Sequence, residues 1–143
     1  MPAVLGLIRE LAEYEKAPGE VALTAEELRR DGFGPRPAFE ALLAEEDGEA
    51  LGMAFYYLSY STWKGRCVHL EDLVVKRAHR GRGIGRALLG RVEEKARELG
   101  ARRLQWQVLA WNEPAIEFYR KIGAEVSGEW LNCRLAGARL ERA

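Results

Sequence analysis

The sequence is poor in the residues that most often announce a chemistry. Its 143 residues include only two cysteines, Cys67 and Cys133, and only two histidines, His69 and His79. Neither pair has the spacing of a metal site or of a redox motif, so zinc-ribbon, thiol-redox and histidine-metal functions are not indicated. Both cysteines are read as buried small hydrophobes. His69 is read as a strand residue and His79 as a turn residue. No apolar run is long enough to span a bilayer, and no leader-like segment opens the chain, so a cytoplasmic location is the default expectation. Charge of one sign is lacking too. Lys plus Arg number 22 and Asp plus Glu number 22, giving a formal net charge of zero, which argues against nucleic acid as the main partner. No internal repeat or low-complexity stretch breaks the sequence. Length and a hydrophobic content of 48% fit one globular domain spanning residues 1–143, with one sizeable core.

What the chain does have is concentrated in residues 70–89, LEDLVVKRAHRGRGIGRALL. Leu70, Leu73, Val74 and Val75 read as a strand covered on both faces. Arg80, Gly81, Arg82, Gly83, Ile84, Gly85 and Arg86 follow as a turn. The spacing of Leu88, Leu89, Val92, Ala96 and Leu99 then predicts a helix closed at Gly100. Glycine-freed amides at a helix N-terminus, flanked by arginines, suit a phosphate or pyrophosphate. The turn lacks the Gly-Lys-Ser/Thr ending of a P-loop, and it lacks the third glycine of a dinucleotide fingerprint. A glycine-rich connection that binds nothing is the plainer alternative.

Around this stretch the periodicity predicts a first helix carrying Val4, Leu5, Ile8, Leu11 and Ala12, with Tyr14 and Glu15 at its end. A capping box at Thr24–Glu27 opens a second short helix. Strands are predicted over 39–46 and 51–60, with the hairpin turn Asp47-Gly48 between them, and over 67–75 after the turn 61–65. Beyond the central helix come a strand over 103–109, a helix opened by Asn112 and Pro114 and ended by Gly123, and a last strand over about 130–135. The order predicts an α/β fold with a mixed, mostly antiparallel sheet flanked by helices.

The motif Arg-x-x-Gly-x-Gly at Arg80, Gly83 and Gly85, directly after an apolar strand, resembles the acetyl-CoA loop of the GNAT superfamily of N-acetyltransferases. Six segments, ELAEYE (10–15), LTAEELRRDGFG (23–34), LGMAFYYLSYSTWKGR (51–66), LEDLVV (70–75), RGRGIG (80–85) and WNEPAIEFY (111–119), resemble in order the diamine acetyltransferases. That family includes the spermidine/spermine and thialysine enzymes, and the likeness spans about residues 5–135. GNAT chains usually begin with a strand, whereas Met1 falls where that strand would have ended. The expectation is therefore either a GNAT sheet lacking its usual first strand or a chain start placed too late. The polyamine enzymes carry an aspartate where this chain has Ser61-Thr62 before Trp63, and Ser-Thr looks more like the thialysine branch.

Several roles follow from the resemblance. Acetyl-CoA is implied as co-substrate, with no metal. Leu73, Val74 and Val75 would pair by main chain with the pantetheine arm, residues 80–86 would hold the pyrophosphate, and Asn112 would bond the arm or cap its helix. Tyr119 would be the general acid beside the sulfur; its plainer alternative is a core aromatic. Tyr14, Glu15 and Trp63 would line a closed, acidic acceptor pocket, and a homodimer is implied.

The residues themselves add a reason. An ammonium has no lone pair, so the acceptor amine must lose a proton before it can attack. Glu71 and Asp72 are two carboxylates in an otherwise apolar strand, where charge is costly unless paired or functional. Strand alternation predicts opposite faces for them. The resemblance to the diamine acetyltransferases implies Glu71 toward the acceptor, as general base through water and amine-binding anion, with Asp72 supporting or structural. For Glu71 an ion pair with an arginine across the sheet is the alternative. The reading is an N-acetyltransferase acting on a small primary amine by direct transfer in a ternary complex. A protein or peptide acetyltransferase and a non-catalytic acetyl-CoA-binding module remain as alternatives.

Overall fold

The computed structural model describes residues 1–135, 137 and 140. It divides into two compact units, one formed by Met1–Gln107 and a second that begins at Val108.

The first unit holds a four-stranded sheet in the order β1-β2-β3-β4. The strands are β1 (Glu40–Glu46), β2 (Glu49–Ser61), β3 (Gly65–Val75) and β4 (Leu104–Gln105). The first three form an antiparallel meander, and β4 pairs parallel to β3. Asp47 and Gly48 both take positive φ, 51° and 80°, which is the two-residue hairpin geometry that an Asp-Gly pair favours. Three helices flank the sheet: α1 (Pro2–Tyr14), α2 (Ala25–Phe33) and α3 (Ile84–Glu98). The capping box opens α2, with Thr24 Oγ1 accepting from Glu27 N–H and Glu27 accepting from Thr24 N–H. Among the described residues no strand precedes α1.

Each sheet face is covered for a reason visible in the chain. Val4, Leu5 and Leu7 of α1 and Leu28 of α2 pack with Phe39, Met53 and Val74. Burial of each such side chain is worth roughly 1.5–3 kcal/mol. The opposite face meets α3 through Leu88, Leu89, Val92 and Ala96. There Gly52 is required: a Cβ on it would stand 2.9 Å from the Val74 carbonyl oxygen and 3.3 Å from both Ile84 and Leu88. That close approach seats the first turn of α3 on the sheet. Tyr56, on the same face, is buried, and its hydroxyl donates to Glu40 at 2.5 Å.

Three expectations fail. The strand over 103–109 shrinks to Leu104–Gln105, and β3 bulges just past the two shared rungs. The strand over 130–135 does not form. Among its described residues the second unit has one regular element, α4 (Glu113–Lys121), so an extended segment there has no strand to pair with. Cys133 lies in that segment and is exposed, unlike Cys67, which is buried as expected. No helix among the described residues is long and apolar enough to cross a membrane.

Candidate functional site

The register of β2 on β3 steps at one point. Tyr56 faces Leu70 and Phe55 faces Asp72, so Glu71 has no partner across the ladder. This is a β-bulge, a device that re-aims side chains. Phe55 packs on the α1 side with the core cluster, so Asp72, opposite it, also turns to that side. His69 sits opposite Tyr57, another residue of the α1 side. Glu71 reaches back to it, with 3.5 Å between Glu71 Oε2 and His69 Nε2. Both carboxylates therefore share one face, and the opposite-face expectation is corrected: the extra residue cancels one step of the alternation. Among the described residues Glu71 pairs with a histidine of its own strand, not with an arginine across the sheet.

The electrostatics follow from that crowding. Partial burial pushes the Asp72 carboxyl up to about 6, and the charges of Glu71 and Glu15 push the same way. Burial also raises Glu15, at the end of α1. The Tyr57 phenol is raised by burial and then by the Glu71 charge. Glu15, Glu71 and Asp72 thus form one acidic group assembled from α1 and β3. Glu71 is its outward member, with half of its side chain exposed (53%).

Beside this group the sheet forks. β3 and β4 share two rungs, Val68 with Leu104 and His69 with Gln105. Beyond them β3 runs on to Val75. Val74 faces Met53, and the next bond to β2 is donated by Lys76 N–H to the Leu51 carbonyl. Main-chain groups of Leu73 and Val75 therefore turn to the forked edge, while the Val74 side chain is buried in the core. The Val75 carbonyl accepts from Arg80 Nε at 3.0 Å.

The glycine turn has the form of a cradle. Gly81 and Gly83 take positive φ, 82° and 81°, and nothing lies within 4 Å of a Cβ built on either. Gly83 is the N-cap of α3, with no side chain closing that end. The first amides of the helix therefore point outward with partial positive charge, and an anion fits there. The arginines are less free than the sequence suggests. Arg82 donates to Glu46 at 2.8 Å and contacts His79 at 3.0 Å. Arg80 lies over the Tyr14 ring, 5.0 Å from its centroid. Tyr14 and Arg80 line a cavity of about 560 Å³ with Arg9, Glu10, Glu13 and Arg77.

The β2–β3 hairpin carries Trp63 and the Ser61-Thr62 pair. Trp63 is 87% exposed at its tip. Ser61 accepts from the N–H groups of Trp63 and Lys64, both at 3.1 Å. It is the turn cap of that hairpin, a use that requires no substrate.

In the second unit, Asn112 is buried and caps α4, its Oδ1 accepting from Ala115 N–H at 3.4 Å. That bears out one of its two expected uses. Tyr119 is half-buried on α4 with its ring 5.5 Å from Phe118. Sequence reasoning passed over His69 and Gln105; the parallel pairing that joins them is a tertiary fact, although the alternation of residues 103–109 placed Gln105 on a strand. Among the described residues, no group of three or more His, Cys, Asp or Glu is arranged to hold a metal ion.

Comparison with known proteins gives consistent results. The profile of the acetyltransferase (GNAT) family matches residues 7–124. A thialysine N-epsilon-acetyltransferase of Bos taurus is 45% identical over 130 residues, covering 85% of this chain and 76% of that protein. Its namesake of Caenorhabditis elegans is 37% identical over 142 residues, covering 97% and 88%. Among solved structures, an integron cassette protein from the mobile metagenome of V. cholerae superposes with a TM-score of 0.77 at 26% identity, covering 96% of this chain and 87% of that one.

Proposed function

The chain belongs to the acetyltransferase (GNAT) family, and we propose that it moves the acetyl group of acetyl-CoA to the primary amine of a small molecule. The acceptor is a thialysine-like amino acid or a di- or polyamine, and the transfer is direct, in a ternary complex. The observation that carries this reading is the acidic group of Glu15, Glu71 and Asp72 beside the fork of the sheet. Its charge attracts an ammonium, and its carboxylates accept the proton that the amine must lose. The raised Asp72 keeps one member of the group close to the working pH, where a base is most effective.

The remaining residues have roles that fit the family. The amides opened by Gly81, Gly83 and Gly85 at the start of α3 suit a pyrophosphate, with Arg86 adding charge at its rim. The forked edge at Leu73 and Val75 suits main-chain pairing with an extended amide-bearing arm. Acetyl-CoA supplies the thioester whose carbonyl the free amine attacks. Tyr119 then donates its phenolic proton to the departing sulfur, a role supported by its motif and its half-exposed place on α4. Names of the relatives favour amino acids with a terminal amine. A homodimeric, cytoplasmic enzyme completes the proposal, supported by the resemblance.

The test is thiol release from acetyl-CoA with purified protein against thialysine, lysine, ornithine, putrescine, spermidine and a lysine peptide. Turnover of one small amine, cut at least a hundredfold by Glu71→Gln and by Tyr119→Phe, is the expected result. Acetyl-CoA binding with no amine acetylated, or turnover of the peptide alone, overturns it.

A further inference from the structure

His69 stands on the last rung that β3 and β4 share, immediately before the bulged Glu71. Among the described residues, Tyr57, Gln105 and Glu71 lie against its ring. Tyr57 of β2 packs against one face, with centroids 5.2 Å apart. The Gln105 amide nitrogen of β4 lies 3.4 Å from Nδ1. Glu71 Oε2 lies 3.5 Å from Nε2. The His69 side chain is only 17% exposed, so water competes weakly for either nitrogen. An amide N–H can only donate, so Nδ1 must accept from Gln105. A neutral ring that accepts at Nδ1 carries its hydrogen at Nε2, and Nε2 is the nitrogen turned to the carboxylate.

We propose that His69 is a positioning residue for acetyl transfer: Gln105 fixes its tautomer, and its Nε2–H holds the Glu71 carboxylate at the mouth of the fork. This deepens the acetyltransferase reading and rests on it for the part measured by turnover. The charged and titratable groups facing the ring are few. Glu71 lies on its own strand and Tyr57 on β2, while β4 contributes the uncharged Gln105. Asp72 and Glu15 lie beyond Glu71, in the acidic group. Three carboxylates gathered at one face repel each other and spread unless one is tied down. A donor on Glu71 keeps its charge and its direction, and it needs no proton of its own to leave. The arrangement also explains why the bulge and the fork occur together: the rung that ends pairing with β4 is the one that supplies the donor.

Two measurements separate this from a packing role. The first is imidazole nitrogen NMR on the wild-type protein, which reports the tautomer whether or not the protein turns over. A neutral Nε2–H form is expected, with its Nε2 signal displaced in Glu71→Gln and the tautomer mixed in Gln105→Leu. A neutral Nδ1–H form, or signals unmoved by both substitutions, overturns the proposal. The second is kinetic. His69→Phe keeps a ring on Tyr57 and loses both nitrogens, whereas His69→Gln returns an amide donor near the Nε2 place. His69→Phe is expected to lower kcat/KM for the amine about tenfold, the size of one hydrogen bond to a charged group. KM for acetyl-CoA stays unchanged, and the acidic limb of the pH profile moves to higher pH. His69→Gln recovers most of the loss. Equal rates for His69→Phe and wild type, or His69→Gln no better than His69→Phe, overturns the proposal. A wild type that acetylates nothing refutes the enzyme reading, and the NMR result then decides on the tautomer and its hold on Glu71.

Discussion

Replacing Asp72 by Asn tests the physical basis of the acidic group without any substrate. The folded protein holds the Asp72 carboxyl at about 6 against an ordinary value of 3.8, chiefly through burial and then through Glu71 and Glu15. A pKa raised on folding means that the native state binds the proton more tightly than the unfolded chain does. The group is therefore harmless below about 3.8, where both states are protonated, and costs stability as the pH climbs through 6. The shift of about two units corresponds to about 3 kcal/mol at pH 8, of which about half is present at pH 5. Asp72→Asn removes that titration and keeps the shape of the side chain. Urea unfolding of both proteins at pH 8 and pH 5 gives the comparison. The variant should gain about 1–1.5 kcal/mol more over wild type at pH 8 than at pH 5, while its amine acetylation falls steeply. A stability difference that does not change with pH refutes the reasoning, because a local packing effect has no pH dependence.

Further outcomes follow from the parts that position the cradle. Gly52→Ala sets a Cβ against the Val74 carbonyl, where the obstacle is backbone; it should cost about 2 kcal/mol or more in urea unfolding and raise KM for acetyl-CoA. A substitution borne without loss would mean that α3 is not seated through this contact. Gly83→Ala forces a side chain into positive φ at the N-cap of α3, costing about 1 kcal/mol and weakening acetyl-CoA binding measured by calorimetry; unchanged binding would show that this turn does not present the amides. The Glu46 carboxyl is held below its ordinary value by its hydrogen bond from Arg82, so the pair persists at neutral pH and is lost only as the pH falls through the carboxylate range. Glu46→Gln frees the Arg82 charge beside the cradle and should lower KM for acetyl-CoA at low salt, with the difference vanishing at high salt. A rise in KM would instead show that the tether matters more than the charge.

Local chemistry in the chain announces much of the first unit. Thr24 with Glu27, Asp47 with Gly48 and Gly100 after the central helix are short-range signals, and each works in the structure as its residues require. The meander, α1 and α3 follow because their apolar spacing matches the faces they bury. The strands after residue 100 were less legible, since a strand is a property of two segments and RLQWQVL finds a neighbour for only two residues. Segment 130–135 alternates no worse than β1 and forms no ladder. The glycine cradle could be located from spacing alone. That Arg82 is occupied by Glu46, 36 residues away along the chain, could not.

The bulge at Glu71 is the deeper case. Alternation in a strand is a counting rule, and it separates neighbours such as Glu71 and Asp72. One unpaired residue resets the count, so both carboxylates turn to the α1 side while Leu70 before them and Val74 after them stay buried. Without the bulge, the adjacent Glu71 and Asp72 would point to opposite faces. The bulge falls just where the pairing of β3 with β4 ends. In the proposed reaction a single inserted residue would therefore link two needs, a concentrated negative charge for the ammonium and a free strand edge for an extended arm. Restoring regular pairing by deleting Glu71 would then cost more than Glu71→Gln, because it leaves Asp72 opposite Phe55 as the lone strand carboxylate on that face and removes the kink as well. A deletion that folds and binds acetyl-CoA as well as the wild type would refute this coupling.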